Sequence, residues 1–288
     1  MDKKFKKVAV CLSGNPRTFE KTHSDLKTRF LDNIAESYDF FIHMPNQLNW
    51  RGDESDRPLS KNEIDNILKH YDPKKIILDD QGLGSDGRFR NEMLARVKGA
   101  NSLRKEYEQE NNVSYDMVIR ARPDLKITCN FNDMSQIDEN KIGIASFGRA
   151  HKGWTDTFAM GPGHLMDVYC ALSDEVGDYN SSLYKNTDLR PRSHRGRTGQ
   201  FAIELVLMHY LQEKNIPVYL MSDLQYCVLR IDGGILWLHD QYGAEMHFNR
   251  NGLKSHYNSS GHHSLIKCDP VPITDEEIFR LIRERYEH

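Results

Sequence analysis

In mid-chain an apolar run, Met117-Val118-Ile119, leads directly into Arg120-Ala121-Arg122-Pro123-Asp124. A run this rich in apolar and β-branched residues predicts an interior strand. In α/β sheets ligands gather at the carboxyl ends of such strands. Arg120 and Arg122 alternate along the strand, so both are expected on one face. Two guanidiniums on a buried strand are costly without an anion. Their planar fork suits phosphate oxygens, and Asp124 is placed to hold a divalent cation bridging the same phosphates. The competing reading is a strand that ends in a surface Arg–Asp ion pair.

The surrounding pattern predicts how that strand is housed. Strand signals near 7–12, 38–43, 75–79, 115–120 and 142–147 alternate with helical signals near 20–36, 60–70 and 88–110. This order implies an α/β fold with a largely parallel sheet and helices on both faces, at least through residue 128. Leu26, Phe30, Leu31 and Ile34 recur at helical spacing and are read as core. Met93, Leu94, Val97, Ala100, Leu103 and Tyr107 form one stripe of a charged helix, whose other side is a solvated face. Past residue 128 glycine, proline and aromatic residues become frequent. A helix is expected over Gln200–Lys214, a strand over Pro217–Leu220 and a last helix over Asp275–Tyr286. Between them, Asp178–Thr198 carries Arg190, Arg192, Arg195 and Arg197, which reads as a basic loop over an anionic substrate or as a plain surface loop.

Composition removes several classes. The 288-residue chain has a net charge of −3, which leaves no whole-chain nucleic-acid footprint. Its five cysteines are odd in number and form no CxxC pair, as expected for buried thiols in a reducing compartment. No P-loop occurs, and His262-His263 lacks the helical HExxH context of a zinc hydrolase. Gly82-Leu83-Gly84-Ser85-Asp86-Gly87 has dinucleotide-loop spacing but follows two aspartates, so it reads as a turn. The N-terminus has too few apolar residues for a signal peptide, and no run reaches the ~20 needed to span a bilayer.

A second segment completes the pattern. Val8-Ala9-Val10-Cys11-Leu12 gives a first strand, Ser13-Gly14-Asn15-Pro16 a turn, and Arg17-Thr18-Phe19 the entry to a helix. Taken together, Ser13-Gly14-x-x-Arg17-x-Phe19 and Tyr115-Asp116-x-Val118-Ile119-Arg120-x-Arg122-Pro123-Asp124-Leu125 resemble the two motifs of a group of GT-A-like glycosyltransferases. The resemblance implies one transferase domain over 1–288, with 1–128 binding a nucleotide sugar and 129–288 the acceptor. It implies transfer from a nucleotide-diphosphate sugar, with UDP the expected nucleotide, to a glycan hydroxyl. It assigns Ser13, Gly14 and Arg17 to the nucleotide, and Arg122 and Asp124 to the diphosphate. Where the family has Asp-x-Asp, this chain has Arg122-Pro123-Asp124. One carboxylate is replaced by a cation, so dependence on manganese or magnesium is expected to be partial. Resident secretory-pathway transferases carry an N-terminal anchor, and its absence points to the cytoplasm or to a sequence that begins after it.

Transfer also needs a base for the acceptor hydroxyl, commonly a carboxylate in inverting enzymes. Two candidates arise. Asp156, in Trp154-Thr155-Asp156-Thr157-Phe158-Ala159-Met160-Gly161, precedes an apolar strand and resembles the family's Asp-x-Phe-x-x-Gly. Glu204 lies early in the helix expected over Gln200–Lys214, where it is either a base or a solvated charge. Trp154 reads as a sugar-stacking ring or a rim aromatic. His43, at the carboxyl end of Phe40-Phe41-Ile42, reads as a nucleotide contact or a structural histidine. His239 is a late candidate metal ligand beside Asp124. Another nucleotide-dependent transferase, nucleotidyl or sulfo, and a non-catalytic carbohydrate-binding protein are the rival classes.

Overall fold

The computed structural model describes residues 3–48, 57–80, 89–128, 130–132, 134–144, 147–148, 153–175, 203–221, 224, 226–229, 235–239, 246–248, 253–257 and 263–267. The segments Gly82–Gly87 and Asp178–Thr198, the helix expected over Asp275–Tyr286, and His262 lie outside them.

Four strands of the first half, β1 (Phe5–Ser13), β2 (Ala35–Pro45), β3 (Lys75–Asp79) and β4 (Met117–Ala121), run parallel in the order β4-β1-β2-β3. After the short β5 (Leu125–Ile127) come β6 (Ile142–Ile144), β7 (Phe147–Gly148), β8 (Gly153–Trp154), β9 (Phe158–Gly161) and β10 (Val218–Leu220). Strands β10, β6 and β9 extend the sheet beyond β4 to seven strands, with β9 antiparallel to both of its neighbours. Thus β4 is an interior strand, and the central sheet draws on both sides of residue 128. The strand β11 (Tyr226–Leu229) pairs with β5 and with β12 (Ile235–His239), while β13 (Met246–Phe248), β14 (Leu253–Tyr257) and β15 (His263–Lys267) form a separate antiparallel sheet.

Period-two alternation sorts the parallel strands into two cores. Val8, Val10, Leu12, Ile42 and Ile119 face the helical stretch α1 (Phe19–Leu26), a π-turn at Lys27–Leu31, and α2 (Asp32–Ile34), together with α3 (Lys61–Tyr71). That stretch starts at Phe19, beside the expected start near residue 20, and Phe19 N donates to Pro16 O as the chain leaves the turn. The π-turn is the extra residue that lets Phe30 and Leu31 both bury with Ile34. Ala9, Cys11, Phe41 and Val118 face α4 (Phe89–Asn111), α5 (Gly163–Cys170) and α6 (Ile203–Glu213). Leu94, Val97, Ala100 and Leu103 of the expected stripe are buried there. No helix among the described residues is long and apolar enough to cross a membrane.

Two polar connections fix α4. At its middle, Arg104 bonds Asp167 of α5, which also accepts from Asn101 at 2.8 Å. Toward its start, Arg96 forks onto Asp79 at the end of β3, with 2.9 and 2.7 Å contacts, while His43 Nε2 meets the same carboxylate at 2.8 Å. The other ring nitrogen of His43 lies so close under the helix that a Cβ at Gly99 would approach it to 1.9 Å.

That contact decides the sign of a substitution that helix propensity alone would favour. Gly99→Ala gains up to ~1 kcal/mol of intrinsic propensity, but a contact this short forces α4 or the histidine to move, which costs ~1–3 kcal/mol or more. A lower urea midpoint is expected for Gly99→Ala. In the His43→Ala background the same change is expected to be neutral or stabilising. A wild-type midpoint for the single variant would show that the helix does not sit on the ring.

Candidate functional site

The site is built at the carboxyl edge of the parallel strands. Leu12 and Ala121 are in register there, as are Ser13 and His43. Strand β1 leaves the sheet at Gly14, whose φ of +127° is open to glycine and strained for other residues. A Cβ at Gly14 would lie 3.5 Å from Pro123 Cδ, so the β1 turn crosses directly over the turn that ends β4. In that second turn Leu125 N donates to Arg122 O at 3.3 Å. The crossing brings Arg17 and Asp124, 107 positions apart, into contact.

Asp124 is completely buried and clasped from two sides. Arg17 donates to Oδ2 through Nε at 2.8 Å and through Nη2. Arg122 donates through Nε to Oδ1 at 2.8 Å and through Nη2 to Oδ2 at 2.7 Å. Burial opposes the carboxylate charge, but Arg122 and then Arg17 outweigh it and hold Asp124 well below the usual carboxylate range. Burial likewise works against the Arg122 charge. Asp124 overcomes it, followed by Asp156 and Tyr226, and the guanidinium is held more firmly protonated than a free arginine. Of the pair, Arg17 has 3% of its side chain exposed and Arg122 has 21%. Arg122 therefore presents the clasp to the outside.

Arg120 behaves differently from the shared face expected for it. It is among the largest fully buried side chains, on the α4 side of β4, and Nη1 donates to Thr157 O while Nε has no partner among the described residues. Arg122 lies beyond the strand end and turns to Asp124 instead. Ser13 Oγ, also buried and without a partner among the described residues, ends β1 on the same side of the sheet as Arg120.

Asp156 lies between β8 and β9, and its charge reaches Arg122. Its side chain lines a small pocket with Leu94, Val97, Tyr169, Leu172, Ile203 and Leu207. On either side of it Thr155 and Thr157 are buried, and the Tyr226 hydroxyl stands 2.6 Å from Thr157 Oγ1 and 3.5 Å from Thr155 Oγ1. Sequence reasoning missed Tyr226, since a lone tyrosine in an apolar strand carries no signal for this position. Trp154 is half-buried and packs on the α4-side core. Glu204 stands in the first turn of α6, next to Ile203 of the pocket, where its charge favours the helix dipole.

His43 has one nitrogen on Asp79 and the other against Gly99, so both face protein. Burial lowers its pKa, Asp79 acts in the opposite sense, and Arg96 lowers it further. His239 ends β12, in register with Tyr226, which is itself in register with Ile127. Among the described residues no three His, Cys, Asp or Glu side chains are grouped to hold a metal. Asp124, the metal ligand expected at this edge, accepts from two guanidiniums.

Removing the Asp124 charge takes from Arg17 and Arg122 the buried carboxylate they share, a loss of ~3–5 kcal/mol for a buried pair. Asp124→Asn is expected to lower stability to urea by that order at pH 7. Because the folded pKa is depressed, the wild-type contribution is fully present above the unfolded value near 4 and fades as pH falls through the folded one. Between about pH 4 and pH 2 the wild type should therefore lose stability more steeply than Asp124→Asn. Parallel pH curves would mean that the carboxylate is not clasped in solution.

No family model matches the chain, and no curated protein does. Among solved structures it is similar to the glycosyltransferase GlyE of Streptococcus pneumoniae TIGR4, at 14% identity and a TM-score of 0.36, over 76% of this chain and 46% of that one. A second structure, of the apo form of that enzyme, gives 15% identity and a TM-score of 0.32 over 76% and 45%. The chain thus spans less than half the length of those proteins, and a likeness this slight decides nothing about function.

Proposed function

We propose that the chain is a glycosyltransferase that moves a sugar from a nucleotide-diphosphate donor, UDP-linked, to a hydroxyl of a glycan acceptor. The observation that carries this reading is the clasp at one sheet edge. Arg17 and Arg122 close on one buried carboxylate, Asp124, beside the Gly14 turn, Arg120 holds the Thr157 carbonyl, and the charge of Asp156 reaches Arg122. Such an edge favours a ligand whose negative charge grows during reaction, as it does on a leaving diphosphate.

Arg122 is the group suited to meet that charge. Its Nε and Nη2 are engaged by Asp124, which fixes the plane of the guanidinium. Nη1 makes no hydrogen bond among the described residues. A fixed donor needs little reorganisation when the oxyanion forms, and this is the source of its advantage over a free surface arginine. Ser13 and the Gly14 turn lie at the adjoining strand end, where the nucleotide would rest. Asp156 takes the acceptor proton in this reading, giving inversion, with Trp154 beside it toward the sugar. No step passes through a metal, because Asp124 is already occupied by its arginines.

The test is release of UDP from a panel of UDP-sugars, with and without EDTA, alongside thermal shift. Donor binding is expected to persist in EDTA, and a saturating UDP-sugar at 100 times its Kd adds ~2.7 kcal/mol of stability. Arg122→Ala should lower turnover ~10²–10³-fold. Asp156→Asn should lower turnover ~10²–10⁴-fold with donor KM nearly unchanged, since a base acts only in the transition state. Glu204→Gln serves as the control. A large loss in Glu204→Gln with an active Asp156→Asn reverses the two roles. Stabilisation by nucleotides but by no sugar nucleotide would favour a nucleotidyl- or sulfotransferase instead.

A further inference from the structure

We infer that Tyr226 is a positioning residue that holds Asp156 from behind, by gripping the residues on both sides of it. The inference rests on the reading of Asp156 as the acceptor's base. Asp156 and Thr157 form a bend between β8 and β9, with Thr155 just before it. Thr155 and Thr157 are 5% and 7% exposed, whereas Asp156 is half-buried and lines the pocket below α4, α5 and α6. Both threonine hydroxyls reach the phenol of Tyr226, and neither threonine lines the pocket. That phenol lies 2.6 Å from Thr157 Oγ1 and 3.5 Å from Thr155 Oγ1.

A third grip comes through the backbone. Arg120 Nη1 donates to the carbonyl of Thr157. Its guanidinium approaches from β4, which pairs with β9 with Arg120 opposite Ala159, two residues beyond the carbonyl it holds. Tyr226 belongs to a different sheet, in register with Ile127 of β5. The short link between β8 and β9 is thus fastened to both sheets, by a hydroxyl and by a guanidinium. Neither group needs to touch substrate. Tyr226 is wholly buried, and its ring packs in the core on the α1 side of the central sheet. Its hydroxyl is the part that purely apolar packing does not require. A phenylalanine would fill the same space.

This arrangement gives the base a defined direction, and small errors in such a direction are expensive: a displacement of ~1 Å can cost ~10²-fold in rate. Tyr226→Phe keeps the ring and removes the grip. In the full chain, hydrogen exchange of the peptide over Thr155–Thr157 is expected to become ~10-fold faster, with peptides over β1 and β4 unchanged. UDP release from the UDP-sugar that the wild type turns over is expected to fall ~10-fold or more in kcat, with donor KM within about 2-fold. Thr157→Val should reproduce that loss, Thr157→Ser should restore it to near the wild-type rate, and adding Tyr226→Phe to Thr157→Val should cost little more, because the two changes break one contact. Unchanged exchange over Thr155–Thr157 overturns the inference whatever the rates show, and so does faster exchange with an unaltered kcat. The proposed role of Asp156 fails separately, if Asp156→Asn turns over like the wild type. In that event the exchange measurement alone decides whether Tyr226 fastens the link.

Discussion

The Asp124 carboxylate, taken out of water and gripped by Arg17 and Arg122, is the interaction on which the arrangement of this edge depends. Isolated, a buried carboxylate is prohibitively costly. Here four N–H bonds from two guanidiniums satisfy it. The same short segment is tied again through its backbone. Leu229 N donates to Asp124 O at 3.0 Å, and Thr22 Oγ1 donates to Pro123 O at 2.5 Å. The β1 turn, the start of α1, the β4–β5 turn and β11 are therefore joined at one buried point. Replacing such a cluster with apolar residues can be neutral in stability, so its presence is better explained by the geometry it imposes than by energy alone.

That geometry separates charges that the chain places close together. Arg120 and Arg122 are two residues apart, yet one reaches for a backbone carbonyl between β8 and β9 while the other closes on Asp124. The divergence follows from the end of β4 at Ala121, beyond which the turn through Pro123 frees Arg122 from the strand's alternation. Arg120 can remain in the core because the carbonyl partly solvates it, although Nε finds no partner among the described residues.

Much of the frame was legible in the sequence, because it rests on local periodicity. The strands β1, β2, β3 and β4 fall within a few residues of the apolar runs, and the buried stripe of α4 is the one that helical spacing picks out. Within the expected strand over 142–147, β6 covers Ile142–Ile144 and β7 begins at Phe147, with 145 and 146 outside the described residues; the antiparallel insertion of β9 between β4 and β6 has no signature in spacing. At the site, residue types were readable and partners were not. Nothing local announces that Arg17 closes on a carboxylate 107 residues away, or that a phenol 69 residues beyond Thr157 reaches it. His43 makes the same point from the other direction. A histidine at a carboxyl edge reads as a ligand contact, but the room left by Gly99 lets α4 settle onto its ring, and that fit is invisible until two elements are docked.

The clasp also sets the pose of Arg122. Asp124 fixes the plane of its guanidinium through Nε and Nη2. On the proposed reading, that cation stands where an Asp-x-Asp pattern would recruit a metal. Arg122 loses the rotamer freedom of a long side chain when the protein folds, so that loss need not recur when an anion binds. Arg17 is almost completely covered and has little surface to offer a ligand. Its part is to hold the carboxylate from the inner side, so that Asp124 keeps Arg122 in place while the outer face of that guanidinium stays exposed.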